Sequence, residues 1–195
     1  MVKINWADKK LLHLNKLYIS NILSLDDLKN ALKPFLEEYS LWKPEFENSE
    51  WFDKVITLLR PRACTLLDIV ENFRCFHDKE FDYSLSAEDI NKSIFNAYPD
   101  FINLCFSLSQ KLAAIECFTS GNIESLFRSV AEKENVKLGK VCNAARVVIT
   151  GQAVGASLFE IIEVIGKEKT VFRLNKAAWD EGYLLWLAEN SVQIV

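Results

Sequence analysis

The sequence predicts an all-α protein, and three observations support that prediction. Apolar residues recur at intervals of three and four along most of the chain, which is the period of a helix with one buried face. Glycine and proline number only 6 and 4 among 195 residues, so the chain is poor in the turns that an all-β fold needs. Half of the residues are hydrophobic, which supplies a packed core and argues against disorder.

Four helices are predicted in the first part of the chain. An apolar stripe gives the first helix over residues 8–20, and Ser24 caps the second, which has two acidic residues in its first turn. Pro34 lies inside that second helix, so we expect the helix to be kinked or shortened there. The third helix should end just before Pro61, because proline disfavours a helical residue before it, and Thr65 then caps the fourth.

The rest of the chain is predicted to be helical as well, beginning with a long, mostly buried helix over residues 101–118. Other helices are expected over residues 86–95, 120–134, 137–150, 157–165 and 168–179. Gly151 should end the helix before it with a left-handed cap. Only residues 171–173 and 192–195 have a strand-like composition, and both runs are short.

Composition also limits the function. The net charge is −4, whereas proteins that hold nucleic acid mainly through phosphates are usually basic, so any RNA surface must be a local patch. With two histidines, no glycine-rich phosphate loop and no G-x-S-x-G motif, the chain is expected to hold no catalytic residues. Its five cysteines lack the spacing of a zinc site, so no metal is expected. No apolar run suits a signal peptide or a membrane span, so we expect a soluble, cytoplasmic protein.

Four segments carry motifs that can be compared with known families. Residues 11–19 read LLHLNKLYI, residues 59–66 read LRPRACTL, residues 137–151 read KLGKVCNAARVVITG, and residues 157–168 read SLFEIIEVIGKE. In this order and spacing they resemble bacterial glutamyl-tRNA synthetases, with their L-x-x-L-N-x-x-Y-I, K-x-G-K, R-V-x-[LI]-T-G and L-F-E-x-[LI]-x-x-[LI]-G-K-E runs. The sequence departs from that pattern after Gly151, where the histidine and proline of the family's T-G-x-x-H-G-P run are missing.

The resemblance implies a fold and a division of the chain. It implies an α-helical bundle or cage of the class I synthetase anticodon-binding type, with two helical subdomains. Residues 1–60 would form a stem-contact-like segment next to the catalytic domain, residues 61–179 the anticodon-binding cage, and residues 180–195 an additional tail. The H-I-G-H and K-M-S-K-S loops of the family do not occur in these 195 residues, so we expect part of a longer ligase.

The resemblance also implies partners. The chain would bind tRNA-Glu, with tRNA-Gln as a further candidate, and position it for aminoacylation by the N-terminal catalytic domain of the same protein. ATP and glutamate would bind to that domain, so no cofactor is expected in this chain, and neither DNA nor a membrane is an expected partner. Two alternatives remain. One is a free-standing helical RNA-binding module, and the other is a protein-interaction scaffold, for which the apolar residues 183–187 argue.

Arg60 and Arg62 are the main candidate site residues, because they flank Pro61 in the predicted elbow between two helices. A guanidinium holds several donors in one plane and can satisfy the acceptors of an unstacked cytosine. The resemblance implies an arginine near this point that reads a cytosine of the glutamate anticodon, and Arg62 is favoured. The alternative is a helix-terminal arginine that bonds the carbonyls of a preceding helix.

Two further pairs are candidates. Lys137 and Lys140 lie in a basic stretch and are expected to contact phosphates, whereas Arg146 lies half a helical turn away from Lys137 and is interpreted as structural. Asn15 and Tyr18 lie one turn apart, and the surface that meets the tRNA stem or the catalytic domain is one explanation for them. An ordinary helix face is the other. Tryptophans, Trp42 and Trp51 among them, offer stacking faces but are expected in the core.

Overall fold

The structure is a computed structural model that describes residues 6–77 and 101–179. All regular secondary structure in these two ranges is helical, which confirms the predicted all-α class. The predicted helix over residues 86–95 and the tail 180–195, with its strand-like run, lie outside the described residues. None of the described helices is both long and apolar enough to cross a lipid bilayer.

Two compact units make up the chain, Met1–His77 and Asp78–Val195. The boundary between the two units lies after His77, at the end of the helix that comes after the elbow. The resemblance, in contrast, divides the chain by function between residues 60 and 61. That functional division stays a prediction, because a compact unit is defined by packing and not by what it binds.

The first unit contains four α-helices among its described residues. They are α1 (Trp6–Leu17), α2 (Leu25–Glu38), α3 (Glu50–Leu59) and α4 (Leu66–His77). Three short turns accompany them, namely a π turn at Tyr18–Ile22 and 3-10 turns at Pro44–Phe46 and Arg60–Arg62. The prediction that one helix continues through residue 20 is therefore corrected, because α1 changes into the π turn after Leu17.

Local capping explains where these helices begin. The Ser24 hydroxyl accepts a hydrogen bond of 3.1 Å from the Asp27 amide, so the predicted cap of α2 is confirmed. At α4, the Thr65 hydroxyl accepts from the Asp68 amide at 3.2 Å, and the Asp68 carboxylate accepts from the Thr65 amide at 2.9 Å. This reciprocal pair is a capping box, and it confirms the predicted start of the fourth helix.

Pro34 does not shorten α2, which runs on to Glu38, so that half of the prediction is wrong; a kink at Pro34 stays a prediction. Proline removes the bond that an amide would donate to the Asn30 carbonyl, but both residues are exposed, so water can satisfy that carbonyl. The opposite face of the helix is held by Leu28, Leu32 and Leu36, which are fully buried. Burial on the inner face therefore outweighs one missing bond on the outer face.

An aromatic cluster forms the core of the first unit. The rings of Phe46 and Phe52 stack at 5.3 Å, and Phe73 meets both edge-on at 5.7 and 5.6 Å. Trp42 packs edge-on against Phe52 at 5.7 Å, and Trp51 lies 5.6 Å from Phe46. These two tryptophans therefore pack in the core, as expected, because aromatic pairs at these separations stabilise each other.

The second unit contains five α-helices among its described residues. They are α5 (Phe101–Ala113), α6 (Ser120–Lys133), α7 (Leu138–Thr150), α8 (Leu158–Ile165) and α9 (Lys167–Trp179). Among the described helices of this unit, α9 and α5 pack against each other most extensively. Gly151 has a φ of 70° and its amide bonds the Val147 carbonyl, which confirms the predicted left-handed cap at the end of α7.

One helix bound predicted for the second unit is wrong. The apolar helix expected over residues 101–118 ends at Ala113, where the Lys167 ammonium donates to the Ala113 carbonyl at 3.4 Å and also to that of Ile115. The helix predicted over residues 168–179 is confirmed by α9, which includes residues 171–173. Their strand-like composition is overridden because Arg173, Leu174 and Ala177 are buried in the helix packing of this unit.

Candidate nucleic-acid interface

The elbow between α3 and α4 contains two arginines, one half-buried and bonded to the backbone and the other exposed. The 3-10 turn Arg60–Arg62 follows α3 directly, with Pro61 at its first turn. Proline has a φ near the helical value and donates no amide hydrogen, so it suits a tight turn at the end of a helix. The chain then becomes extended at Ala63, which is buried, before the capping box opens α4.

Arg60 is bound to the backbone of the first unit. Its Nη2 atom donates to the carbonyl oxygens of Ile19 at 2.9 Å and Leu23 at 3.0 Å, which lie in and after the π turn. In return, the Ser20 hydroxyl donates to the Arg60 carbonyl at 3.3 Å. This arrangement is the alternative considered for the elbow arginines, a guanidinium that bonds the carbonyls at the end of a helix.

Arg62 has a different environment. Its side chain is exposed, and within residues 6–77 and 101–179 it makes no hydrogen bond, ion pair or ring contact. The structure thus separates two residues that the sequence treated as near equivalents. Arg62 is the elbow arginine whose donors remain available to a ligand.

The backbone after Arg62 is held from two sides. The Asp68 carboxylate accepts hydrogen bonds from the amides of Cys64 at 2.7 Å and Thr65 at 2.9 Å. The Asn15 side chain donates to the Cys64 carbonyl at 2.6 Å. Sequence reasoning did not identify this role of Asp68, although the T-x-x-D spacing of a capping box was visible in residues 65–68.

Asn15 and Tyr18 are both exposed, and Tyr18 exposes 49% of its surface. Because the Asn15 amide is bonded to Cys64, the part of α1 that carries Asn15 lies beside the elbow. The structure thus brings Asn15 and the elbow arginines into one region of the first unit. Contact of Asn15 or Tyr18 with a tRNA stem or with another domain stays a prediction.

Lys137 and Lys140 lie at the start of α7 in the second unit. Lys137 is the N-cap residue and its side chain makes no capping bond, while the Lys140 amide bonds the Lys137 carbonyl at 2.9 Å. Both side chains are exposed, and neither has a partner in the part of the chain that the structure describes. Two cations at a helix N-terminus, where amide hydrogens point outward, suit a phosphate group.

Other basic residues of the second unit have structural partners. Arg146 donates from Nη1 to the Ala156 carbonyl at 3.0 Å, as expected for a structural arginine. Arg173, which exposes 3% of its surface, donates to the Ile149 carbonyl at 2.6 Å at the end of α7. Lys167, in the G-K-E run, closes the end of α5. Each of these three basic side chains bonds a backbone carbonyl, so its presence in the sequence is explained by the fold without a nucleic-acid contact.

Two partly or fully buried thiols are unsuited to chemistry. Burial raises the pKa of Cys105 far above that of an ordinary thiol, and burial also raises the pKa of Cys142. A thiol reacts as the thiolate, so a raised pKa leaves each of them protonated and unreactive at neutral pH. Cys105 is therefore interpreted as a core residue and Cys142 as a half-buried one, and neither is interpreted as a nucleophile.

Comparison with known proteins identifies the family. Residues 27–178 match the family model described as the anticodon binding domain. A glutamate–tRNA ligase of Thermus thermophilus is 32% identical over 169 residues, and one of Syntrophobacter fumaroxidans is 34% identical over 171 residues. Each alignment covers 87% of this chain and 34% of the ligase, so the chain spans about a third of the length of these curated relatives.

Solved structures share the fold. A glutamate tRNA ligase from Elizabethkingia meningosepticum, in complex with its amino acid, matches with a TM-score of 0.71 at 24% identity, covering 89% of this chain and 32% of that one. The glutamate-tRNA synthetase from Elizabethkingia anophelis matches with a TM-score of 0.66 at 24% identity, covering 87% and 31%. The resemblance to bacterial glutamyl-tRNA synthetases is thus confirmed, and this chain belongs to the anticodon binding domain family.

Proposed function

We propose that this chain is the anticodon-recognising, tRNA-binding region of a glutamyl-tRNA synthetase and that it positions tRNA-Glu for aminoacylation by a catalytic domain. Its membership of the anticodon binding domain family supports this proposal, as do relatives that are glutamate–tRNA ligases. In this proposal ATP and glutamate bind to the catalytic domain, and the protein acts in the cytoplasm. Residues 1–60 contact the tRNA stem, and residues 61–179 bind the anticodon.

The exposed guanidinium of Arg62 is the observation that carries the proposal. It projects from an elbow whose backbone is hydrogen-bonded at Arg60 on one side and at Cys64 on the other. The N3 and O2 acceptors of a cytosine need donors that no other protein group occupies, and the donors of Arg62 meet that requirement among the described residues. Arg62 is therefore the residue that we assign to a cytosine of the anticodon.

A phosphate contact at the start of α7 complements this base contact. Lys137 and Lys140 are exposed and carry charges in an otherwise acidic chain. Phosphate contacts fix the orientation of a nucleic acid without reading its sequence, so these lysines would position the tRNA that Arg62 reads.

The outer face of α1 supports a contact with the catalytic domain. Leu11 and Leu14 of α1 expose 67% and 52% of their surfaces, and Tyr18 and Ile22 of the π turn that follows it expose 49% and 66%. Several exposed apolar side chains within twelve residues of sequence are typical of a segment that packs against another domain. We therefore propose that α1 packs against the part of the ligase that precedes it in the relatives.

Binding titrations of the chain against three tRNAs test the function. We expect the affinity for tRNA-Glu to exceed the affinity for an unrelated tRNA of similar length, with tRNA-Gln as the third arm. Tight binding to tRNA-Gln would extend the specificity to both acceptors. Equal affinity for all three tRNAs would reduce the chain to a general RNA-binding module. Lack of binding to any of them would leave the protein-interaction scaffold as the better reading.

A further inference from the structure

The elbow is fixed at both ends by bonds from segments far away in the sequence. Before Arg62, the Arg60 side chain and carbonyl are bonded to residues in and just after the π turn, which lie 37 to 41 positions earlier. After it, the Cys64 carbonyl is bonded to Asn15, which lies 49 positions earlier. Only three residues separate these anchors, and one of them is a proline with a fixed φ.

The position of Arg60 carries a free-energy penalty of desolvation. Its Nε atom is buried and has no hydrogen-bond acceptor among the described residues, so the guanidinium is desolvated without being fully satisfied. A shorter cation or an apolar side chain would avoid that unsatisfied group. The two hydrogen bonds from Nη2 to the Ile19 and Leu23 carbonyls offset this penalty, and they connect the elbow to the segment that follows α1.

We propose that Arg60, together with Asn15, is a positioning residue for Arg62, so that the discrimination between anticodon bases depends on two side chains that do not touch those bases. This inference rests on the proposed function. A donor on a fixed backbone loses less conformational freedom when it binds than a donor on a mobile loop. If the hydrogen bonds of Arg60 and Asn15 are removed, Arg62 keeps its charge and its attraction to RNA. Its donors, however, no longer meet the base edge in one orientation.

The experiment measures a ratio of affinities and not an affinity alone. Each variant is titrated with tRNA-Glu and with transcripts in which each anticodon cytosine is replaced in turn by uracil. The titrations are made well below the melting temperature of every variant. A variant that is partly unfolded binds all transcripts less well by the same factor, so its discrimination ratio does not change. A loss of the ratio therefore reports the geometry of the elbow and not its stability.

Five single-residue variants test the proposal. Arg62→Ala should abolish the discrimination at one cytosine, which a well-placed base contact makes about 10-fold or more. Arg60→Met and Asn15→Ala should each lower the same ratio several-fold and should change it no further when combined with Arg62→Ala. Arg60→Lys, which keeps the charge and one donor group, should restore part of the ratio. Arg146→Met is the control, because it also removes an arginine that bonds a backbone carbonyl, that of Ala156, but in the second unit. It should leave the ratio unchanged.

The outcomes separate the two proposals. If Arg62→Ala lowers the ratio while Arg60→Met and Asn15→Ala leave it at the wild-type value, the positioning role is overturned and the anticodon-reading role stands. If Arg62→Ala itself leaves every ratio unchanged, the reading role fails, and the positioning role fails with it. Should Arg60→Met not fold, Asn15→Ala carries the test, because it is charge-neutral and removes a single side-chain bond.

Discussion

Lys167 and Ala113 meet at the end of α5, where the ammonium group of Lys167 donates to the Ala113 carbonyl at 3.4 Å. The same ammonium bonds the Ile115 carbonyl and lies 5.9 Å from the centre of the Phe118 ring. A cation at a helix C-terminus satisfies carbonyls that have no helical partner and interacts favourably with the helix dipole. This residue of the G-K-E run is therefore structural, because it fixes where α5 stops.

We expect Lys167→Met to lower the free energy of unfolding by about 1–2 kcal/mol, because two carbonyls lose a charged donor. Urea denaturation followed by circular dichroism measures the change. Lys140→Met is the matched control, since Lys140 is exposed and lies in the first turn of a helix, where a cation contributes no stability. Equal stability of the two variants would contradict the structural role of Lys167.

Lys29 ties α2 to α3 and gives the unfolding free energy a dependence on pH. Its Nζ atom lies 2.7 Å from the Asp53 carboxylate and 3.1 Å from that of Asp26. The hydrogen bond to Asp53 raises the pKa of Lys29 above its usual 10.5, although burial opposes this. Because the pKa in the folded state is raised, the stabilisation is complete below pH 10.5 and is lost as the pH rises through the raised pKa.

We therefore expect Lys29→Met to lower the free energy of unfolding by about 0.5–1 kcal/mol at neutral pH. The difference from the wild type should narrow once the pH exceeds 10.5. Urea titrations at neutral pH and above pH 10.5 measure this difference in the free energy of unfolding. Lys54→Met on the exposed side of α3 is the control and should match the wild type at both. A difference that is the same at both pH values would assign the effect to packing of the lysine stem.

Local signals predicted much of the fold. The hydroxyl cap of Ser24, the proline after Arg60, the T-x-x-D run at Thr65 and the left-handed Gly151 each act within a few residues, so the sequence alone identified those helix ends. Pro34 was the exception. Its effect depends on whether the carbonyl it leaves unbonded faces water, and the sequence does not state which face of α2 is exposed.

The candidate site was less predictable, because its decisive bonds join distant segments. Nothing in the sequence distinguishes Arg60 from Arg62 beyond one proline between them. The distinction comes from the carbonyls of Ile19 and Leu23, whose bonds to Arg60 follow from tertiary packing. The end of α5 was missed for the same reason, since Lys167 reaches it from 54 residues away. Helical periodicity contains no information about such pairs.

The affinity for tRNA should depend on salt only moderately. An acidic chain with a small basic surface neutralises about 2–4 phosphates, so log affinity should fall with log salt at a slope of magnitude about 2–3. Lys140→Ala should flatten that slope by about 1, because it removes one phosphate contact, and should weaken all tRNAs alike. Titrations over a range of salt concentrations measure the slope. A slope near zero would show that Lys137 and Lys140 do not meet phosphates.

Arg62→Ala should separate base reading from folding. Because the side chain is exposed and has no partner among the described residues, its removal should leave the melting temperature within the range of an ordinary surface substitution. A lost base contact should nevertheless cost about 1–3 kcal/mol of binding free energy toward tRNA-Glu. The loss should shrink against the transcript whose recognised cytosine is replaced, since that partner has already lost the contact. Thermal denaturation beside titrations on both transcripts gives all three quantities. A variant that melts lower and binds both transcripts equally less well would show that Arg62, like Arg60, serves the fold and does not read the anticodon.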